Sequence, residues 1–177
     1  NCLKPTYEPK ATESIDKIID FIKILEEKDI AYQTSSGVYF DITRYSKYLE
    51  LSGRSIEDLL SGTRVEFIEG KKNNEDFALW KLAKENEPSW KSPWGQGRPG
   101  WHIECSAMIH GLFGNQGIDI HCGGNDLIFP HHENERAQSE TAFNSKFVNF
   151  WLHNGMVNLA AFSYTHLRAN ETHIDLV

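Results

Sequence analysis

The stretch Ile118-Asp119-Ile120-His121-Cys122-Gly123-Gly124-Asn125-Asp126 runs from an apolar segment into a pair of glycines. Its first four residues predict a short strand that ends at His121. Without Cβ atoms, Gly123 and Gly124 would let the backbone approach a ligand closely, and Asp126 could accept hydrogen bonds from sugar hydroxyls. Alone, this pattern is too common to identify the ligand.

A helix is predicted just downstream, in the segment Phe129-Pro130-His131-His132-Glu133-Asn134-Glu135. Proline suits the first turn of a helix, which places Pro130 at its start. His131 and Glu135 are four residues apart, so their imidazole and carboxylate would project from one face toward a common point. This spacing supplies half of a metal site, although a single pair of this kind on a helix is more often a surface contact.

Cys105 strengthens the metal interpretation. A thiolate, an imidazole and a carboxylate form a borderline-soft set that suits Zn²⁺, and three protein ligands leave room for a fourth ligand or a substrate. The alternative for Cys105 is a buried small hydrophobic residue. Three other histidines are better interpreted as hydrogen-bonded residues of the core or of the surroundings of the ligands: His121, His132 and His153.

Histidine and the basic residues are distributed unevenly. All eight histidines follow residue 100, whereas 15 of the 18 basic residues precede it. This asymmetry indicates two parts with different roles. The segment between Glu85 and Gly100 is rich in proline, glycine and tryptophan, which predicts a structured loop, and we place the boundary near residue 95.

The first part has the pattern of a scaffold. Thr12 is the expected N-cap of a helix. The apolar residues of this helix recur at steps of three and four: Ile15, Ile18, Ile19, Ile22 and Leu25. Residues 30–32 and 38–42 predict the two strands of a hairpin, with Gly37 supplying the turn.

Two further elements are expected before residue 70. Ser55 and Asp58 resemble a capping box for a short helix that ends at Gly62, and residues 64–68 predict a strand. Three tyrosines could form a binding surface, but at this spacing packing explains them better: Tyr39, Tyr45 and Tyr48.

Composition limits the class of protein. The 177 residues are 40% hydrophobic and carry a formal net charge of -7, which suits one soluble domain or two small ones. No run approaches the roughly 18 apolar residues of a membrane span. The charge provides no basic field for nucleic acid, although charge alone does not name the partner.

The cysteines and the first residues indicate the compartment. Three widely spaced cysteines argue against a disulfide framework and favour a reducing cytoplasm, where the thiols stay available for metals: Cys2, Cys105 and Cys122. The chain begins with Asn1 rather than Met and has no signal peptide, so we expect its natural N-terminus to lie upstream.

Several segments together resemble one family, the cysteinyl-tRNA synthetases. The motifs of the second part are residues 97–108, 121–126, 129–135 and 151–157. The similarity continues upstream in residues 3–6, 11–13, 37–41, 51–53 and 76–81. The resemblance covers about residues 3–158 and keeps the order of the family's motifs.

The resemblance implies an α/β fold, namely part of the Rossmann-like catalytic core of a class I aminoacyl-tRNA synthetase with an α+β connective insertion. Residues 1–95 would be the insertion, and residues 96–158 part of the second half of the core. The first half, with the ATP signature and the family's first zinc-binding cysteine, would lie outside this chain. Cys2 does not match that cysteine, because it stands in the insertion.

The resemblance also implies the roles of individual residues. By transfer, the zinc ligands are Cys105, His131 and Glu135, the set that chemistry alone suggested. Trp101 would close over the bound side chain and, with His102, would belong to the substrate site, although Trp101 could instead be plain core. The nucleotide-binding residues would be Gly123, Gly124 and Asp126.

The implied activity is ATP-dependent activation of L-cysteine and its transfer to tRNA(Cys). One Zn²⁺ per chain would select cysteine by coordinating its thiolate, because a bound thiol is deprotonated outright while the hydroxyl of serine is a poor ligand. ATP would act with Mg²⁺. We expect a cytoplasmic monomer with no membrane partner, and no activity from these 177 residues alone.

The sequence departs from the family at two places. The family's Lys-Met-Ser-Lys-Ser loop is expected after residue 157, but residues 159–177 match nothing there and are predicted to be a non-native tail, which excludes His166 and His173 from the site. Cys122 stands where glycine is frequent, and it could replace the missing zinc ligand, although a packed thiol is the simpler interpretation.

Two other functions remain open at this point. A ligase of mycothiol biosynthesis resembles the family and also activates cysteine on zinc. A non-catalytic zinc-binding structural module would instead have a closed site with four protein ligands.

Overall fold

The computed structural model describes residues 3–55 and 70–155, which form three α-helices and six β-strands. The helices are α1 (Ile15–Glu27), α2 (Trp101–Phe113) and α3 (Glu133–Phe143). The strands are β1 (Ala31–Thr34), β2 (Gly37–Phe40), β3 (Phe77–Leu82), β4 (Gly97–Pro99), β5 (Ile118–Gly124) and β6 (Val148–Asn154). The predicted helix at residues 55–62 and strand at 64–68 fall almost wholly outside the described residues.

Helix α1 buries the face that its sequence period predicts. All five predicted apolar positions are buried, and Phe21 joins them. The prediction of Thr12 as the N-cap is wrong, because Thr12 lies in a 3₁₀ turn (Ala11–Glu13) and the helix begins at Ile15. Ser14 stands between the two elements, and its hydroxyl donates to the carbonyl of Lys10 (2.9 Å).

The predicted hairpin is confirmed, but Gly37 has a different role. Strands β1 and β2 pair antiparallel with Thr34 opposite Gly37, so the turn consists of the two residues 35 and 36. Gly37 is the first residue of β2 and has a φ of +147°. A Cβ atom there would lie 2.0 Å from the carbonyl oxygen of Trp80, so glycine is required by the close approach of β3.

The first four strands form one antiparallel sheet in the order β1-β2-β3-β4. Helix α1 contacts α2 and α3, so the two parts of the chain share one apolar core. Ile18 and Trp80 of the first part lie in this core with Ile103 and Ala137 of the second. Tyr39 and Tyr45 are buried, in agreement with the packing interpretation.

Strands β5 and β6 form a separate parallel pair. Helix α3 connects them, which makes a βαβ unit. One face of this pair is open and apolar: Ile120 is paired with Phe150, and their exposed fractions are 55% and 66%. Within the described residues, no helix is long and apolar enough to cross a membrane.

Candidate metal and substrate site

The structure brings the three predicted metal ligands together. One ligand atom each of Cys105, His131 and Glu135 lies within 4.8 Å of the other two. Cys105 comes from α2 and Glu135 from the first turn of α3, and these helices pack against each other. A thiol, an imidazole and a carboxylate therefore converge from different parts of the chain.

The helix that carries this site follows a kink at Phe129, which is extended. The other residues of the preceding segment (Ile128–His132) have helical dihedral angles, so the helical backbone continues from Pro130 into α3. Pro130 thus stands in the first turn of the helical backbone, as predicted. His131 and Glu135 meet one turn apart, also as predicted, with 2.9 Å between Nε2 and Oε1.

Glu135 is fully buried and faces two imidazoles. Its Oε2 atom lies 2.9 Å from Nε2 of His121, within hydrogen-bond distance. Burial by itself would raise the pKa of the carboxyl, but His121 and His131 outweigh this effect and lower the pKa to about 2. The Oε1 atom has no aligned hydrogen-bond donor among the described residues, which is costly for a buried carboxylate oxygen.

His131 is held from its other side by His102. The two Nδ1 atoms are 2.9 Å apart, so one ring donates and the other accepts. Burial, together with the nearby His131, lowers the pKa of His102 to about 3, which keeps its ring neutral. Trp101 is half exposed, and its ring lies 4.4 Å from that of His131. Both predicted substrate residues therefore border the candidate metal ligands.

The two described cysteines differ in their surroundings. Burial, with Glu135 and Glu104 nearby, raises the pKa of Cys105 to about 12, so without a metal ion it is a neutral thiol at pH 7. Cys122 is exposed on β5. In the part of the chain that the structure describes, Cys122 belongs to no group of three candidate ligands.

The histidines that the sequence assigned to the surroundings are hydrogen-bonded, as expected. His132 is buried, and its Nδ1 atom lies 2.7 Å from Nε2 of His153. However, His121, His132 and Glu135 also place one ligand atom each within 4.8 Å of one another. The spacing along the chain does not reveal this second group, because His121 reaches Glu135 from strand β5 and not from the same helix.

The predicted nucleotide residues lie at the carboxyl end of β5. Local packing explains why the two glycines carry no side chain. A Cβ atom on Gly123 would lie 2.7 Å from the ring of His132, and one on Gly124 would lie 2.3 Å from Oδ1 of Asp126. Glycine at 123 lets His132 approach the strand, and glycine at 124 makes room for the Asp126 carboxylate.

A βαβ unit with converging polar side chains at the carboxyl end of its strand has the organisation of an α/β catalytic domain. Comparison with known families defines this domain further. The chain belongs to the family of tRNA synthetases class I (C) catalytic domains, whose model matches residues 1–166. The matched range extends past residue 159, where the sequence predicts a tail to begin.

Similar proteins carry the name cysteine–tRNA ligase. The chain is 58% identical over 155 residues to that of Geotalea daltonii, which covers 88% of this chain and 31% of the relative. It is 61% identical over 149 residues to that of Pyrococcus abyssi (84% and 31%), and 57% identical over 155 residues to that of Petrotoga mobilis (87% and 33%). The chain thus spans about a third of the length of the curated relatives it matches.

Proposed function

We propose that the intact protein is a cysteine–tRNA ligase, which activates L-cysteine with ATP and transfers it to tRNA(Cys). The observation that carries this proposal is the convergence of Cys105, His131 and Glu135 in a chain 57–61% identical to relatives of that name. These relatives support it over a ligase of mycothiol biosynthesis or a structural zinc module. Residues 1–95 would be the connective insertion and residues 96–158 part of a Rossmann-like core.

The chemistry of the donor set suits a Zn²⁺ ion. Sulfur, imidazole nitrogen and carboxylate oxygen are the ligands that zinc takes in proteins, and the three in this chain leave room for a fourth ligand or a substrate. The buried Oε1 atom of Glu135, which lacks an aligned donor among the described residues, fits a ligand to a cation. When bound, zinc would coordinate and deprotonate the thiol of the substrate, which a serine hydroxyl cannot match.

The residues around the ligands would orient them and shape the pocket. His102, kept neutral by burial, would hold the ring of His131 through the contact between their Nδ1 atoms. His121 would hold the carboxylate of Glu135 through the contact between its Nε2 atom and Oε2. Trp101 has the exposure needed to close over a bound amino acid and exclude water.

Residues at the end of β5 would bind the nucleotide. Ligands of α/β proteins bind beyond the carboxyl ends of parallel strands, where Gly123, Gly124 and Asp126 lie. The Asp126 carboxylate would accept hydrogen bonds from ribose hydroxyls. ATP would enter with Mg²⁺, and the phosphate-binding groups would come from other parts of the intact protein.

The test is amino-acid-dependent exchange of pyrophosphate into ATP by the intact protein, with cysteine and serine compared. We expect exchange with cysteine, a preference over serine of at least about 10⁴, as a site that recognises one polar group can achieve, and loss of both in Cys105→Ala. Cys122→Ala is the matched control and should behave as the wild type. Absence of cysteine-dependent exchange in the zinc-loaded wild type would overturn the proposal.

A further inference from the structure

A turn-rich segment of the first part of the chain lies against the helix that carries the candidate metal ligands. We name residues 45–54 the strap. Tyr48 of the strap donates a hydrogen bond from its hydroxyl to Oδ1 of Asn134 (2.6 Å). The backbone amide of Ser52 donates to Oε2 of Glu133 (2.8 Å). Both acceptors stand between His131 and Glu135 in the sequence.

Other contacts extend this interface along the helix. Tyr45 donates to the carboxylate of Glu140 (2.5 Å), and Arg136 pairs with Glu50 (3.1 Å). The guanidinium of Arg54 lies 4.7 Å from the ring centre of Phe129, at the kink. The strap therefore contacts both the regular helix and the segment before it.

The segment that carries the ligands makes different contacts on its two sides. His131 and Glu135 face each other and the thiol of Cys105, whereas Glu133 and Asn134 between them face the strap. Glu133 and Asn134 are almost completely buried, with exposed fractions of 0% and 2%. Buried polar groups are costly without partners, so these hydrogen bonds fix the rotation of the segment.

Helix geometry alone cannot fix that rotation. The helical backbone that follows the kink at Phe129 sets the distance between His131 and Glu135, but it does not fix how these residues face Cys105 on α2. A metal site tolerates errors of only about 0.2 Å in its ligand distances. The segment therefore needs support from outside, and the strap contacts the two residues between His131 and Glu135.

We infer that the strap is a positioning element of the metal site, with Tyr48 and its acceptor Asn134 as positioning residues. This inference rests on the proposed function, because it requires a metal ion on Cys105, His131 and Glu135. Breaking the hydrogen bond between Tyr48 and Asn134 would let the segment that carries His131 and Glu135 rotate relative to α2. The metal would then leave faster, although none of its ligands had been changed.

The experiment compares Tyr48→Phe with the wild-type intact protein, both loaded with zinc. The loss of zinc to an excess of chelator is followed with a colorimetric indicator. We expect about 10-fold faster loss in Tyr48→Phe, the lower end of the effect of partners that orient metal ligands. The KM for cysteine should rise several-fold, while the KM for ATP stays unchanged.

The matched control is Tyr32→Phe. The hydroxyl of Tyr32 is also hydrogen-bonded to a buried residue, Asp76 (2.5 Å), but within the first sheet and its loop. This variant should lose zinc at the wild-type rate. A second pair of variants tests the acceptor: Asn134→Asp keeps an oxygen for Tyr48 and should retain zinc, whereas Asn134→Leu should release it as Tyr48→Phe does.

The outcomes separate the inference from the function on which it rests. If the wild type retains zinc and activates cysteine while Tyr48→Phe and Asn134→Leu retain zinc equally well, the positioning role is overturned and the proposed function stands. Equally fast zinc loss from Tyr32→Phe would also overturn it, because the effect would then reflect the general stability of the protein. If the wild type binds no zinc, both the function and the inference fall.

Discussion

The Nε2 atom of His131 lies 2.9 Å from Oε1 of Glu135, one helical turn further along the chain. Both residues follow the kink at Phe129 and lie in helical backbone. Because Glu135 also faces His121 on strand β5, it links the strand to the helix of the βαβ unit. Glu135 therefore suits a metal ligand and also stabilises the packing of the helix against β5.

Cobalt provides a direct test of the thiol ligand. Added to the intact metal-free protein, Co²⁺ should produce the charge-transfer absorption of a cobalt–thiolate bond, since the ion takes the same ligands as zinc. Cys105→Ala should weaken this band by removing one of its thiolates, whereas Cys122→Ala should keep its full intensity, because Cys122 is exposed and belongs to no candidate group in the described chain. A band that keeps its full intensity in Cys105→Ala and weakens in Cys122→Ala would exchange the roles of the two cysteines.

Glu135→Gln should lower the stability of the metal-free protein. The carboxylate faces two imidazoles without exposure to water, and an amide places an NH₂ group opposite one of them. We expect a loss of about 1–3 kcal/mol in the free energy of unfolding, the cost of leaving a buried polar group unsatisfied. Urea denaturation measures it.

Glu13→Gln is the control for that measurement. Its carboxylate is 70% exposed and pairs with an exposed lysine, so it should change stability by a few tenths of a kcal/mol. A loss in Glu135→Gln no larger than in Glu13→Gln would show that the buried carboxylate does not stabilise the fold.

The sequence predicts best the features that depend on neighbours along the chain. The buried face of α1 follows from a helical period, and the β1–β2 hairpin from two short apolar runs. The sequence does not locate the start of α1, because Thr12 and Ser14 are both cap-forming residues and an additional 3₁₀ turn decides between them. The need for glycine at position 37 escapes the sequence because its cause is Trp80, on a strand 43 residues away.

The candidate site also combines residues that the sequence predicts with long-range contacts that it does not predict. Cys105, His131 and Glu135 follow from ligand chemistry and from family motifs, and the structure brings them together. The contact of His121 with Glu135 depends on how β5 lies beside α3, and the contact of Tyr48 with Asn134 spans 86 residues. Neither contact has a spacing that a sequence pattern can reveal.

Asp41 should make stability depend on pH in the acid range. Its Oδ1 atom accepts hydrogen bonds from the amide and hydroxyl of Thr43, and Lys72 lies 3.3 Å from Oδ2. Burial alone would raise the pKa of Asp41, but these hydrogen bonds hold it below its usual value. Since the folded-state pKa lies below the unfolded value of about 3.9, the stabilisation is complete well above that pH and is lost as the pH falls through the folded-state pKa.

Asp41→Ala should therefore cost about 1 kcal/mol at pH 7, as for the loss of a capping carboxylate, and the difference from the wild type should shrink below about pH 4. Urea denaturation at a series of pH values measures both. Asp20→Ala, which removes an exposed partner of Lys23, should show a small and nearly constant difference. A difference for Asp41→Ala that stays constant down to pH 2 would contradict the prediction.

Gly37→Ala tests whether the close approach of β3 to β2 fixes the first sheet. Two costs add at this position: a φ of +147° that side chains rarely adopt, and a Cβ atom 2.0 Å from the backbone oxygen of Trp80. We expect a loss of roughly 3 kcal/mol or more in the free energy of unfolding, because a backbone oxygen in a sheet cannot move aside cheaply.

Gly53→Ala separates the two costs, since Gly53 has a φ of +64° but nothing within 4 Å of the added methyl group. It should lose only roughly 1 kcal/mol, the price of the left-handed conformation alone. Equal losses in the two variants would mean that β2 and β3 can separate at Gly37, and that the approach of Trp80 does not determine their pairing.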